Sequence, residues 1–374
     1  MSMRETTLKA PPVSGRLLYG PGPAMVEPRA LEAMRQPALG IRDPQFLEIT
    51  GRVRDGLRYV FGTRNQMTFP IPGSGSGGME AAVKNFVDPG QKFGVFAAGH
   101  FANRITEMAR RHGANVVRCE RPWGQVFSEE DATSFLERER PHVVAFVQAE
   151  TSTGAYQSGR AIVPAARKVG ALVIADTVTS LGAMPVEVDN VDIDVAFSCT
   201  QKGLSCPAGL SPITMSQRAW EKITSRKQPI ESWYFDLGLM ANYFEPPHVY
   251  QHTPSPPLYY ALEESLNVIQ EEGLAKRWER HRKAGQRLAQ GLTKLGFSFL
   301  VERPEDRLWH LATVMPPAGC DEAQVRQRLL ANYNIEVSPG LGEVAGKVLR
   351  IGAMGPLATE ERVDFLLEAL AACV

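Results

Sequence analysis

Lys202 stands in "AFSCTQKGLSCPAGL" (196–210), a run of small and apolar residues with no acid to pair with it. The preceding "VDIDVAFS" reads as a buried strand, so the lysine lies just past a strand end. Two readings are open. The side chain can snorkel and leave its ammonium in water. Alternatively, desolvation lowers its pKa and frees the amine to form an imine. Asp176, in "ALVIADTVTSLGA", closes another apolar strand 26 residues earlier. That gap is one helix-plus-strand unit, which brings both residues to the same sheet edge. A carboxylate for a pyridinium nitrogen and an imine-forming lysine are the protein's half of pyridoxal phosphate chemistry. A helix N-cap is the other role open to Asp176. A third feature, "PGSGSGGMEAAV" (72–83), runs small residues straight into a helix. Backbone N–H groups at such an N-terminus bind phosphate, helped by the helix dipole. The stretch is not the dinucleotide fingerprint, which needs a βαβ setting and a later acid.

These residues need a scaffold that holds them at one edge. "KFGVFAAG" (92–99), "HVVAFVQAE" (142–150), "ALVIADTVTS" (171–180) and "VDIDVAFSCT" (191–200) read as buried strands. "HFANRITEMARRHG" and "IVPAARKVG" read as helices between them. Continuous apolar strands separated by helices predict an α/β fold with a mainly parallel sheet covered on both faces. Ligands in such sheets bind beyond the C-terminal strand ends. The Pro- and aromatic-rich "YFEPPHVYQHTPSPPLYY" (243–260) interrupts this pattern. A long helical stretch follows over 258–295. Strand-like "HLATVMP", helical "DEAQVRQRLLAN", strand-like "IEVSPG" and "VLRIGAMG", and helical "TEERVDFLLEALAA" then form a smaller α+β unit. The expected organisation is an N-terminal arm over 1–15, a large domain over 16–270 and a small C-terminal domain over 271–374.

Composition excludes several classes. Of 374 residues, 44 % are apolar, and 41 basic residues balance 41 acidic ones. A neutral chain argues against a broad nucleic-acid surface. "KRWERHRKAGQR" (276–287) is basic, but its helical spacing reads as a solvated helix face. No apolar run approaches the length of a membrane helix, and the start "MSMRETTLKAPPVSG" lacks the apolar core of a secretory signal. The five cysteines, Cys119, Cys199, Cys206, Cys320 and Cys373, have no metal or disulfide spacing. They point to a reducing compartment, expected to be the cytoplasm. His100, His252 and His310 are too dispersed for a metal site. Cys206, flanked by serine and proline, reads as packing.

Together the segments resemble class V aminotransferases of pyridoxal-phosphate fold type I, in the branch with alanine–glyoxylate, serine–glyoxylate and serine–pyruvate aminotransferases. The resemblance runs from "YGPGPAMVEPRALEAM" through "ETSTGAY", "ADTVTSLGA" and "SCTQKGLSCPAGLSPITMS" to "GLGEVAGKVLRIGAMG". It implies a seven-stranded-type sheet in the large domain and pyridoxal 5'-phosphate as cofactor. Lys202 matches the Schiff-base lysine and Gln201 its cofactor-contacting neighbour. Asp176 matches the partner of the pyridine nitrogen, with Val178 on one ring face and Phe101 stacked on the other, where this branch often has tryptophan. Ser74, Gly75 and Ser76 match the phosphate loop, Ser76 standing where many relatives have histidine. Thr151 matches a residue hydrogen-bonded to the cofactor. Tyr250 and Thr253 match residues that reach the phosphate of a neighbouring subunit, which implies a homodimer with shared sites. Arg350 matches the clamp on the substrate α-carboxylate, with Gly22 of "YGPGP" against the same group. A surface salt bridge is the other role open to Arg350.

The resemblance implies ping-pong transfer of an amino group from alanine or serine to a 2-oxo acid such as glyoxylate or pyruvate. Alternatives on the same scaffold are a pyridoxamine–pyruvate-type aminotransferase and a specialised biosynthetic transaminase or lyase. A cysteine desulfurase would need a reactive loop cysteine, which Cys320 does not match. A binding protein on a retired fold would have lost at least one of Lys202, Asp176, Arg350 or the phosphate turn.

Overall fold

The computed structural model describes residues 15–374. Apart from Gly15, the arm expected over 1–15 lies outside the described residues. The large sheet contains β1 (Met67–Pro72), β2 (Lys92–Ala97), β3 (Asn115–Glu120), β4 (Val143–Val147), β5 (Leu172–Asp176), β6 (Val195–Phe197) and β7 (Leu210–Met215). Their order across the sheet is β1–β7–β6–β5–β4–β2–β3. β7 is antiparallel to both neighbours, and the other six strands run parallel to one another. This is the mainly parallel seven-stranded sheet expected, and every residue of β4 and β5 is buried.

The apolar runs mark β2, β4, β5 and β6 but not the other three strands. β1 and β7 carry prolines, which lack the N–H a ladder needs. β1 tolerates Pro70 and Pro72 because it is an edge strand, paired with β7 alone. β7 is internal, and its Pro212 leaves a donor missing opposite β6. The Ser211 hydroxyl fills the gap by donating to the Ser198 carbonyl at 2.5 Å. Ser198 N–H donates back to the Pro212 carbonyl at 2.8 Å. β3 is the opposite edge, with no fully buried residue.

Helices α1 (Gly75–Phe86) and α2 (His100–Arg111) start directly after β1 and β2. The helical stretch expected over 258–295 divides into α3 (Pro256–Glu272) and α4 (Leu274–Lys294). Gly273, at φ +80°, makes the break. A second, antiparallel sheet holds β8 (Ser298–Phe299), β9 (Leu311–Met315), β10 (Ser338–Pro339) and β11 (Leu349–Gly352), in the order β8–β9–β11–β10. Its own core includes Leu288, Leu292, Val314, Leu329, Leu349 and Leu366.

The first described residues pack with that second core. Leu17 and Leu18 pair with Ile335 and Glu336. Tyr19 is fully buried there, and its hydroxyl donates to the Arg362 carbonyl at 2.8 Å. The chain then crosses to the large sheet, where Ala24 N–H donates to the Gln201 carbonyl and Glu27 N–H to the Ser205 carbonyl, each at 2.8 Å.

The basic run over 276–287 is only partly the solvated face expected. Arg282 and Lys283 pair with Glu279 on the surface. Arg277, however, is 3 % exposed. Its guanidinium donates to the Gly182 carbonyl (2.9 Å), the Gly203 carbonyl (2.8 Å) and Glu272 (2.9 Å). Arg280 joins Glu272 to the carbonyls of Gly355 and Ala358. Periodicity alone hides this, because the acceptors are backbone groups from distant loops. Arg277→Ala leaves two buried carbonyls without donors. It is expected to lower the unfolding free energy by about 3 kcal/mol, read as a lower urea midpoint. An unchanged midpoint would remove this clamp from the description.

Candidate active site

Because the six parallel strands point the same way, the loops after β1, β2, β4, β5 and β6 meet at one edge. Nine of the residues singled out in the sequence line one cavity there: Ser74, Gly75, Ser76, Phe101, Thr151, Asp176, Val178, Gln201 and Lys202.

Lys202 follows β6 on a turn closed by its own backbone, with Ser205 N–H on the Lys202 carbonyl and Cys206 N–H on the Thr200 carbonyl. Gly203 is required at the next position, since a Cβ would run into the Leu181 carbonyl and the Ala183 backbone. The Lys202 amine donates to the Pro21 carbonyl at 2.6 Å. A Cβ at Gly22 would overlap the lysine's Cδ and Nζ, so only glycine lets the side chain lie across this loop. Burial pushes the amine's pKa down, and Arg350 adds to that, while Cys199 and Asp176 oppose it. The snorkelling reading fails, because the amine points inward to a carbonyl.

Asp176 ends β5 and is 3 % exposed. One carboxylate oxygen accepts from Val178 N–H at 2.9 Å. No helix starts here, so the N-cap reading fails. Burial pushes its pKa up to about 7, opposed by the Val178 N–H; Glu150 adds to the rise, and Arg104 and Lys202 oppose it. Its neighbour Glu150 is equally buried but well supplied with donors. It accepts from Phe101 N–H (3.0 Å), Ala102 N–H (3.3 Å), Ser152 N–H (3.1 Å) and the Ser152 hydroxyl (2.6 Å). Glu150 thus fastens the start of α2, and with it Phe101, to the loop bearing Thr151. Gly99 leaves room for that carboxylate, which a Cβ would strike.

At the head of α1, Ser74 is the N-cap residue, yet its hydroxyl makes no capping bond. Its carbonyl takes the N–H groups of Gly77 and Gly78. First-turn N–H groups ahead of these lack intrahelical partners. Gly75 packs against Val178, and any Cβ there would press into that side chain.

Arg350, on β11, is 6 % exposed. Backbone carbonyls orient it: Nε donates to Pro339 at 2.7 Å and Nη1 to Thr151 at 3.3 Å. No described ion pair involves it, so the surface salt-bridge reading fails. Burial lowers its pKa to about 10, with Glu150 opposing. Tyr250 and Thr253 do not reach the cavity. They are exposed and hydrogen-bonded to each other at 3.0 Å. Cys206 is 1 % exposed, and burial pushes its thiol up to about 12, consistent with packing.

The sequence reading omitted Arg104, Met79, Val147, Ala149 and Thr179, which also line the cavity, and the anchor Glu150. Arg104 carries a usable signal: it lies one helical turn after Phe101. The small and apolar residues carry none.

The class V aminotransferase family model matches residues 30–366. The alanine–glyoxylate aminotransferase of Drosophila melanogaster is 39 % identical, over 96 % of this chain and 92 % of its own. The (S)-ureidoglycine–glyoxylate transaminase of Bacillus subtilis is 36 % identical, over 96 % and 90 %. The crystal structure of an alanine–glyoxylate aminotransferase from Nostoc sp. superimposes with a TM-score of 0.96 at 44 % identity, covering 100 % of both chains.

The raised pKa of Asp176 has a measurable sign. The folded chain keeps this proton up to about pH 7, whereas an unfolded aspartate releases it near 3.8. Stability therefore falls as pH rises through that window. Asp176→Asn abolishes the titration. In ligand-free protein, the melting temperature of the variant relative to wild type is expected to climb from about pH 4 to about pH 7 and then level off. A constant difference across the series would mean that this carboxylate is not desolvated.

Proposed function

The chain belongs to the class V aminotransferases, and from that premise we propose that it moves an amino group from a small amino acid, alanine or serine, to a 2-oxo acid such as glyoxylate or pyruvate. It is a pyridoxal-phosphate-dependent transaminase. The cavity's chemistry fits that cofactor. Asp176 has a carboxylate oxygen to spare for a ring N–H, the Gln201 side-chain oxygen is buried without a partner, and the head of α1 offers free donors. Gly22 and Gly75 stand where a Cβ would fill space taken by Lys202 and Val178.

The observation that carries the substrate class is Arg350. It is a buried guanidinium aimed by two carbonyls and without a carboxylate partner among the described residues. Such a group calls for an anion, and a planar fork suits an α-carboxylate. The relatives from Drosophila melanogaster and Bacillus subtilis both carry glyoxylate in their names, which favours a small oxo acid as acceptor.

When bound, pyridoxal phosphate supplies a carbonyl for amine exchange and a ring that draws electron density from the amino acid's α-carbon. Asp176 would hold the ring-nitrogen proton through its free carboxylate oxygen. Val178 and Phe101 would confine the ring, and Ser74, Gly75, Ser76, Thr151 and Gln201 would hold its polar groups. Lys202 Nζ, whose pKa burial lowers, would take the α-proton as base and then, as acid, give it to the cofactor carbon that had carried the carbonyl. Arg350 would fix the substrate carboxylate, and Gly22, where a Cβ would overlap Lys202, leaves the amine its room.

We also infer a homodimer with shared sites. Tyr250 and Thr253 face outward, and Trp233, Tyr234, Val249 and Tyr250 are 49–68 % exposed, an unusual density of large apolar side chains. A sedimentation mass of two chains is expected; a monomer at assay concentration contradicts the inference.

Loaded protein is expected to be yellow, to bleach with L-alanine or L-serine, and to recover colour with glyoxylate or pyruvate. Lys202→Ala should abolish turnover. A variant retaining most activity, or colour that no amino acid bleaches, would sink the proposal. Arg350→Met should raise KM for the amino donor on the order of 100-fold, the loss of a charge-assisted fork. An unchanged KM would move the clamp elsewhere.

A further inference from the structure

Arg104 and Lys202 are the two cations that line the cavity, and neither the amine chemistry nor the carboxylate clamp uses Arg104. It sits on α2, one turn beyond Phe101, with its guanidinium carbon 4.8 Å from that ring's centroid. Nη1 donates to the Ser76 hydroxyl at 3.1 Å. Nη2 lies 3.4 Å from His100 Nε2. Burial, with help from Arg104 and Arg350, holds this imidazole below its ordinary range and so uncharged at neutral pH. The guanidinium therefore touches a hydroxyl, a neutral ring and an aromatic face, with the Asp176 carboxyl close enough to feel its charge but not hydrogen-bonded to it. No described ion pair involves it. Acids near it along the chain are taken, Glu107 by Arg111 and Glu120 by Arg118.

The loop it touches has the opposite deficit. Gly73 to Gly78 provides hydroxyls and N–H groups but no charge, although a phosphate monoester carries close to two negative charges near neutral pH. A charged donor binds such a group far better than a neutral one. Ser76 Oγ accepts from Arg104, which leaves its own proton free to donate to a further acceptor.

We propose that Arg104 is the cationic contact for the cofactor's phosphate, working with Ser76, and that this pair makes the cavity select the phosphorylated cofactor over its unphosphorylated form. The proposal rests on the pyridoxal phosphate reading and adds the residue that supplies the counter-charge.

The test compares affinities for pyridoxal phosphate and for pyridoxal, measured by quenching of tryptophan fluorescence in wild type, Arg104→Met and Arg104→Lys. Circular dichroism confirms folding of each. In Arg104→Met, affinity for pyridoxal phosphate is expected to fall by roughly 10- to 100-fold, while pyridoxal binding changes by less than about twofold. Arg104→Lys, which keeps the charge, should recover part of the loss. An equal fall for both ligands would overturn the proposal, because Arg104 would then act by holding Phe101. So would an unchanged preference for the phosphorylated form in a folded variant. If wild type takes up pyridoxal phosphate and bleaches with an amino donor, such a result removes Arg104 alone. If wild type binds no pyridoxal phosphate, the cofactor reading falls with it.

Discussion

An amine can do chemistry near neutral pH only if it is withheld from water and also from any acid that would fix its charge. That constraint governs the surroundings of Lys202. Its one described hydrogen-bond partner is the Pro21 carbonyl, a weak partner compared with a carboxylate. The turn that carries it is gripped from outside. Arg277 holds the Gly203 carbonyl, Ala24 the Gln201 carbonyl and Glu27 the Ser205 carbonyl. Hydrogen bonds to main-chain carbonyls thus locate the lysine without giving it an acidic partner. The glycines at 22 and 203 follow, since any side chain there would displace the lysine or its turn.

Two buried carboxylates, Glu150 and Asp176, show how donor supply separates structure from function. Glu150 receives four donors and fixes one loop to one helix. Asp176 receives one backbone donor and keeps an oxygen for something else. Burial raises both pKa values. On the proposed reading, a protonated ring nitrogen would take the oxygen that Asp176 leaves free.

Much of this was legible in the sequence where a residue's type and its place past a strand end coincide. Lys202, Asp176 and the Ser74–Ser76 loop could be located from apolar runs and small-residue turns alone. The roles expected of Phe101, Thr151 and Arg350 came only through family resemblance, because their partners are far along the chain: the Arg350 guanidinium reaches a carbonyl 199 residues away. β1 and β7 were hidden by prolines, whose missing donor is masked by an edge position in one case and by the Ser211 hydroxyl in the other. Arg277 was misread because helical spacing reports which residues share a face, not which carbonyls from other loops arrive to meet them.

The path of the chain between Tyr19 and Ala24 has a consequence for assembly. Tyr19 is locked into the second core, Ala24 is bonded to the lysine turn, and Pro21 between them offers the acceptor for the amine. The same second core carries Arg350. The second core thus anchors one end of the segment that carries the lysine's acceptor. With the second core open, a chain would lack both the anchored acceptor and the placed Arg350 guanidinium. On the proposed reading, the amine is set in place only together with the group that would decide which molecules it meets.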